Sequence, residues 1–173
     1  VLNPHFRYEI LLADHAPRVA PGRISKTAAG FALDSLKAGV AGCLRGYYAA
    51  LVTAPVNKAG LQQTGFRFPG QTEWLAHQTG ARKFTMLLVS DRLRVALATI
   101  HAPVRHVASL LSRAAIRNTI ELTHHWLLKF GIRRPRILVA ALNPHGGVAG
   151  EQGIEEIKII APAVRQARKC WGS

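Results

Sequence analysis

Apolar residues recur along the chain with two different periods, and the switches between them mark the elements. From Ser25 onward the spacing of Leu33, Leu36, Val40, Cys43 and Leu44 predicts a core-facing amphipathic helix, with Ser25 placed to cap it and Gly46 to end it. Ala49 to Thr53 is a short apolar run stopped by Ala54-Pro55, the pattern of a buried strand followed by a loop. Phe84 to Ser90 and Arg94 to Ile100 read as two more strands. Only Asp91-Arg92-Leu93 separates them, too little for a parallel crossover, so a hairpin and hence a mixed sheet are expected. Ile116, Ile120, Thr123, Leu127 and Phe130 line one face of a second long helix, which Gly131 terminates ahead of a strand from Arg136 to Leu142. A last helix is expected over Ile154 to Arg168, with Glu155 and Glu156 at its dipole-positive start and Pro162 kinking or shortening it. Ahead of Pro21-Gly22 only Tyr8 to Leu12 reads as a short strand.

Helices alternating with buried strands place the chain in the α/β class, as one continuous α/β unit over residues 1–173 without internal repeat or linker. At 173 residues and 49% hydrophobic, such a unit can bury a real core. The formal charge of +14, from 23 Lys+Arg against 9 Asp+Glu, would attract phosphates, nucleic acid or an anionic membrane. The basic residues are dispersed, however, with the one tight group at Arg133, Arg134 and Arg136 and no interleaved aromatics. A solvated basic face is therefore favoured over a nucleic-acid partner, and a basic nucleic-acid-binding module stays as the alternative reading. No apolar stretch approaches the ~20 residues needed to span a bilayer, so no membrane partner is expected. Cys43 and Cys170 form neither a metal motif nor a disulfide framework, which fits a reducing cytoplasm. The start, Val1-Leu2-Asn3-Pro4-His5, lacks both an initiator Met and the features of a signal peptide, so the chain is expected to begin mid-protein.

Candidate chemistry collects at three expected strand ends: Thr53 to Lys58, Ile100 to Pro103, and Leu142 to Gly147. Ligands gather at the carboxyl ends of strands in open α/β sheets because the backbone leaves the core there. His101 and His145 occupy equivalent places after apolar strands. Each alone also fits a structural or exposed role; as a pair on neighbouring strands they would bind a divalent metal, and imidazole suits Zn, Fe, Ni or Co. Gly146, Gly147, Gly150 and Gly153 lead into the last helix, as an anion-binding turn or an ordinary flexible loop. Phe68 to Glu73 opens a short helix whose Thr72 and Glu73 offer hydroxyl and carboxylate groups, or simply a turn and cap. His5, His15, His77, His106, His124 and His125 have no comparable placement and read as surface or packing residues.

The ordered succession TAPVNKAGL from Thr53, FPGQTEWLA from Phe68, RVALATIHAPV from Arg94, FGIRRPRILVAALNPHGG from Phe130 and GIEEI from Gly153 closely resembles the 4-hydroxythreonine-4-phosphate dehydrogenase family. The resemblance runs from about Gly22 to about Arg168 (22–168). It implies a three-layer α/β/α architecture with a mixed sheet, like isocitrate and isopropylmalate dehydrogenases and incomplete here at both ends. It also implies a homodimer whose active sites lie between the subunits. The implied reaction is NAD- or NADP-dependent oxidation and decarboxylation of 4-phosphohydroxy-L-threonine, a phosphorylated small molecule, in pyridoxal 5'-phosphate biosynthesis. His101 and His145 match the family's ligands for a divalent metal (Zn, Mg or Co); the third family ligand, in a YHDQG motif of the other subunit, has no counterpart here. Gln71 and Thr72 match the substrate-contacting His and Thr of the family's GHTE motif, with glutamine replacing histidine, and Lys58 matches a lysine at the edge of the site. The resemblance thus implies a central fragment of a longer two-domain enzyme, with impaired turnover in these residues alone, or a catalytically dead remnant that keeps only the dimer surface.

Overall fold

The structure, a computed structural model, describes residues 16–171. The expected strand from Tyr8 to Leu12 lies outside the described residues, as do His5 and His15. The described chain divides into two compact units, one ending at Gln71 and the other starting at Thr72.

In the first unit, helix α1 (Lys26–Leu44) starts where expected: Ser25 Oγ accepts the Ala28 N–H at 3.3 Å. Gly46, at φ +76, ends it as the spacing predicted. Leu36 and Val40 are buried, whereas Leu44, expected on the same face, is exposed. The short helix α2 (Lys58–Gln63) packs on α1 and is capped by Asn57, whose Oδ1 accepts from Gly60 N at 2.8 Å. Leu61 is buried, and Gly60 lies so close to Ala29 that an added Cβ would stand 3.2 Å from that residue's own Cβ. Helix α3 (Gln71–Thr79) spans the division between the units.

The second unit contains the expected hairpin, shorter than predicted: β1 (Met86–Val89) and β2 (Arg94–Leu97) pair antiparallel with Met86 opposite Leu97. Ser90 closes the turn, its N–H donating to the Leu93 carbonyl at 2.9 Å. A single-turn helix α4 (Val107–Leu110) precedes α5 (Arg113–Lys129), which Ser112 caps through Ala115 N at 3.0 Å. Ile116, Ile120, Thr123 and Leu127 are buried on the expected face, and the Thr123 hydroxyl donates to the Thr119 carbonyl at 2.7 Å, so its buried donor is met. Phe130, expected on that face, is exposed beyond the helix end.

Ile116 and Ile120 pack against Ile160, Ala163 and Ala167, which form the core between α5 and the last helix α6 (Ala161–Trp171). Ala163 is fully buried; a residue this small lets the two helices approach closely. A wide π-type turn, Glu156–Ile160, precedes α6, and Pro162 is the physical reason. Proline has no N–H for the carbonyl four residues earlier, that of Lys158, and the Arg113 side chain donates its Nε–H to that oxygen instead, at 2.8 Å.

Two expected strands, Ala49 to Thr53 and Arg136 to Leu142, form neither helix nor ladder; the sheet among the described residues is the two-stranded hairpin. Their side chains explain why an apolar run misleads. Ile137, Val139 and Leu142 pack on the α5–α6 core while Leu138 is 96% exposed, and Val52 is 94% exposed. Burial on both faces needs a cover that the described residues do not supply. The described chain is thus mostly helical with one small sheet.

The two kinds of apolar position predict opposite results. Ile116→Ala should destabilise the second unit by about 2–5 kcal/mol, the cost of an emptied core site. Leu138→Ala should change stability by less than about 0.5 kcal/mol, as at surface sites without special contacts. Urea denaturation followed by tryptophan fluorescence checks both, and equal losses would contradict this assignment of the core.

Candidate functional site

His101 and His145 each follow an extended segment and share a rarer property. They have φ +53 and +49, in the left-handed region that costs L-residues energy and that histidine enters more readily than most. Val148 and Ala149 complete the non-glycine residues in this region among those described. Such strain collects where the surrounding structure over-determines the backbone, often at functional sites.

Around His145 the surrounding structure can be named. From His145 to Ala149 five successive residues are left-handed, with Gly146 at φ +70, Gly147 at +81, Val148 at +45 and Ala149 at +54. Left-handed residues normally occur singly, so a run of them needs an external hold. Glu156 anchors the backbone just ahead of the run: Oε1 accepts the N–H groups of Leu142 at 2.9 Å and Asn143 at 2.7 Å, and Oε2 accepts Asn143 Nδ2 at 2.9 Å. Asn143 Nδ2 also donates to Glu155 Oε2 at 2.8 Å. These bonds, led by that from the Asn143 backbone, hold the Glu156 carboxyl down to about 2, and the Asn143 side chain lowers that of Glu155. Gly147 is buried here and has no room for a side chain, because a Cβ would lie 2.8 Å from the Gly153 carbonyl oxygen and 2.9 Å from Glu156 Oε2.

At the other histidine, His101 Nδ1 lies 2.9 Å from Glu73 Oε1, in the first turn of α3. Gln71 and Thr72, both half-buried, precede Glu73 in that turn. Gln71 Nε2 is a buried amide nitrogen without a hydrogen-bond partner among the described residues. Lys58 is the first residue of α2 and is exposed. Among the described residues no cluster of three or more His, Cys, Asp or Glu side chains is assembled to hold a metal. Sequence reasoning placed Glu73, Glu155 and Glu156 at helix starts but did not connect them to the histidine loops. The carboxylate-rich helix starts beside the expected strand ends were the signal that could have done so.

Comparison with known proteins gives a consistent result. The family described as "Pyridoxal phosphate biosynthetic protein PdxA" matches residues 3–172. A 4-hydroxythreonine-4-phosphate dehydrogenase of Chromobacterium violaceum is 44% identical over 158 residues, which are 89% of this chain and 48% of that protein. The crystal structure of the enzyme of that name from Klebsiella pneumoniae superimposes with a TM-score of 0.77 at 38% identity, over 88% of this chain and 46% of the other. A terephthalate 1,2-cis-dihydrodiol dehydrogenase from Burkholderia xenovorans LB400 is similar at TM-score 0.63 and 25% identity, over 92% of this chain and 50% of its own. The chain spans about half the length of the curated relatives it matches.

The clamp on Asn143 makes the turn acid-sensitive. Because the folded value of Glu156 lies below the ordinary 4.5, its stabilisation is complete above about pH 4.5 and is lost as the pH falls towards 2. Amide hydrogen exchange should show Leu142 and Asn143 losing protection across that window. In Glu156→Gln, whose amide oxygen can still accept these N–H groups but does not titrate, the acid step should be absent; an unchanged step in the variant would show that another group controls the turn.

Proposed function

The chain belongs to the family of the pyridoxal phosphate biosynthetic protein PdxA, and from that premise we propose that it supplies part of the active site of a 4-hydroxythreonine-4-phosphate dehydrogenase. The proposed reaction is NAD- or NADP-dependent oxidation and decarboxylation of 4-phosphohydroxy-L-threonine on the route to pyridoxal 5'-phosphate. The observation that carries this reading is that His101 and His145 each stand in a strained left-handed position, His101 against Glu73 and His145 two residues after the Asn143 backbone that Glu156 holds.

His101 and His145 would hold a divalent metal, and two imidazoles favour zinc or cobalt over magnesium, which prefers oxygen ligands. Catalytic zinc sites normally use three protein ligands, so the proposal includes a third from the partner subunit of a homodimer. A metal held there would supply Lewis acidity, and a bound nicotinamide would supply an acceptor for hydride. The residues of this chain act by binding and orienting. Lys58 contributes a cation, Thr72 a hydroxyl, and Gln71 the unpartnered amide donor for an anionic, phosphorylated substrate. Gln71 donates hydrogen bonds but cannot carry a proton as histidine would, so proton transfer falls to another group.

The same reading makes the segments 49–53 and 136–142 strands of a three-layer α/β/α sheet of the isocitrate and isopropylmalate dehydrogenase type. The alternation of Leu138 with the packed Ile137 and Val139 supports a strand there. Among the described residues no helix is long and apolar enough to cross a membrane. The free thiols of Cys43 and Cys170 fit the proposed cytoplasmic location.

Calorimetric titration with zinc tests the metal site. His101→Ala and His145→Ala should each weaken binding at least about 10-fold, since even an outer partner of a ligand is worth that much. His124→Ala, a control for adventitious histidine binding, should match the parent. Zinc binding lost in His124→Ala but kept in the other two would sink the assignment. For the substrate, 4-phosphohydroxy-L-threonine should perturb the NMR signals of Lys58, Gln71 and Thr72, and unphosphorylated 4-hydroxythreonine should do so far less. Equal responses would reject phosphate recognition at these residues.

A further inference from the structure

We infer that Glu73 is a positioning residue that fixes His101 in one tautomer and so decides which ring nitrogen meets the metal; this rests on the metal reading above. An ionised carboxylate has only acceptor oxygens. At 2.9 Å from Glu73 Oε1, His101 Nδ1 must therefore carry the hydrogen and donate it. The neutral ring then has its lone pair on Nε2. A histidine side chain free in water favours the opposite tautomer, with the hydrogen on Nε2, so the Glu73 contact inverts the intrinsic preference and leaves Nε2 as the metal-binding atom.

The placement of the pair favours this role over a surface ion pair. The Glu73 side chain is 21% exposed and that of His101 38% exposed, so the contact is shielded more than the exposed Lys37–Asp34 pair at 57% and 73%. Glu73 sits in the first turn of α3, a rigid support, whereas His101 sits at a strained backbone position after an extended segment. A fixed carboxylate on a helix therefore orients a ring carried by a loop. Metal-bound histidines generally donate their second nitrogen to such a group, which sets the tautomer and raises the basicity of the ligating atom.

The experiment combines ring nitrogen NMR with zinc calorimetry on the full chain. The His101 signals are assigned by difference against His101→Ala, at mildly alkaline pH. The parent should show hydrogen on Nδ1. Glu73→Ala should shift His101 towards the Nε2–H form and weaken zinc binding about 10- to 100-fold. Glu73→Gln, whose amide oxygen can still accept from Nδ1, should restore much of both. An unchanged tautomer and zinc affinity in Glu73→Ala, with His101→Ala still defective, would overturn the role of Glu73 and leave the metal site standing. An undiminished affinity in His101→Ala would overturn both. If Glu73→Ala does not fold, Glu73→Gln decides alone: a ring that switches to the Nε2–H form there overturns the inference, and one that keeps hydrogen on Nδ1 supports it.

Discussion

The carboxylate of Glu156 is the group on which the arrangement of the glycine-rich loop depends. It gathers the N–H groups of Leu142 and Asn143 and the side chain of Asn143, and thereby stops the extended segment from running on. Beyond Asn143 the backbone enters a left-handed turn that sequence propensity alone would not form. His145, Val148 and Ala149 each stand in a conformation that costs an L-residue about 1–2 kcal/mol. The hydrogen bonds to an ionised acceptor offset that cost because charge-assisted bonds are the stronger kind. Gly147 allows the carboxylate to approach the turn, since any side chain there would occupy its place.

The same construction serves the other histidine in a simpler form. At both places a carboxylate in the first turn of a helical segment reaches an extended segment's end, Glu73 from α3 and Glu156 from the turn before α6. The difference lies in what is held. Glu156 grips backbone two and three residues ahead of His145 and sets the path of the loop, whereas Glu73 grips the imidazole of His101 itself. One carboxylate places a Cα, and the other orients a ring. Helices hold these groups steadily because their own backbone bonds are satisfied internally.

Local signals were legible in the sequence because each acts within a few residues. Ser25 caps the helix it precedes, Gly46 and Gly131 end α1 and α5 in positive φ, and the short link between β1 and β2 enforces the hairpin. The helix faces of α1 and α5 followed the period except at Leu44 and Phe130, where the helix ends beyond its cover. Contacts that join distant residues left no such trace. Glu73 and His101 are 28 residues apart and Arg113 and Lys158 are 45 apart, and no periodicity encodes either pairing. The runs around Val52 and Leu138 showed a different limit: apolar content reports that a face can be covered, and the cover itself is a tertiary or quaternary matter.

Charge distribution connects the site to the composition. With 9 Asp+Glu against 23 Lys+Arg the chain has few carboxylates, yet Glu73, Glu155 and Glu156 all lie at the two histidine loops. Asp34 and Glu121, by contrast, sit in exposed pairs with Lys37 and Lys83, which solvent screens. Negative charge is therefore concentrated near the candidate ligands while the chain as a whole is strongly positive. Close to the histidines the carboxylates attract cations in general; over longer distances the excess of Lys and Arg attracts anions. The two attractions act at different ranges, so a net charge of +14 does not conflict with the metal and the phosphate of the proposed site.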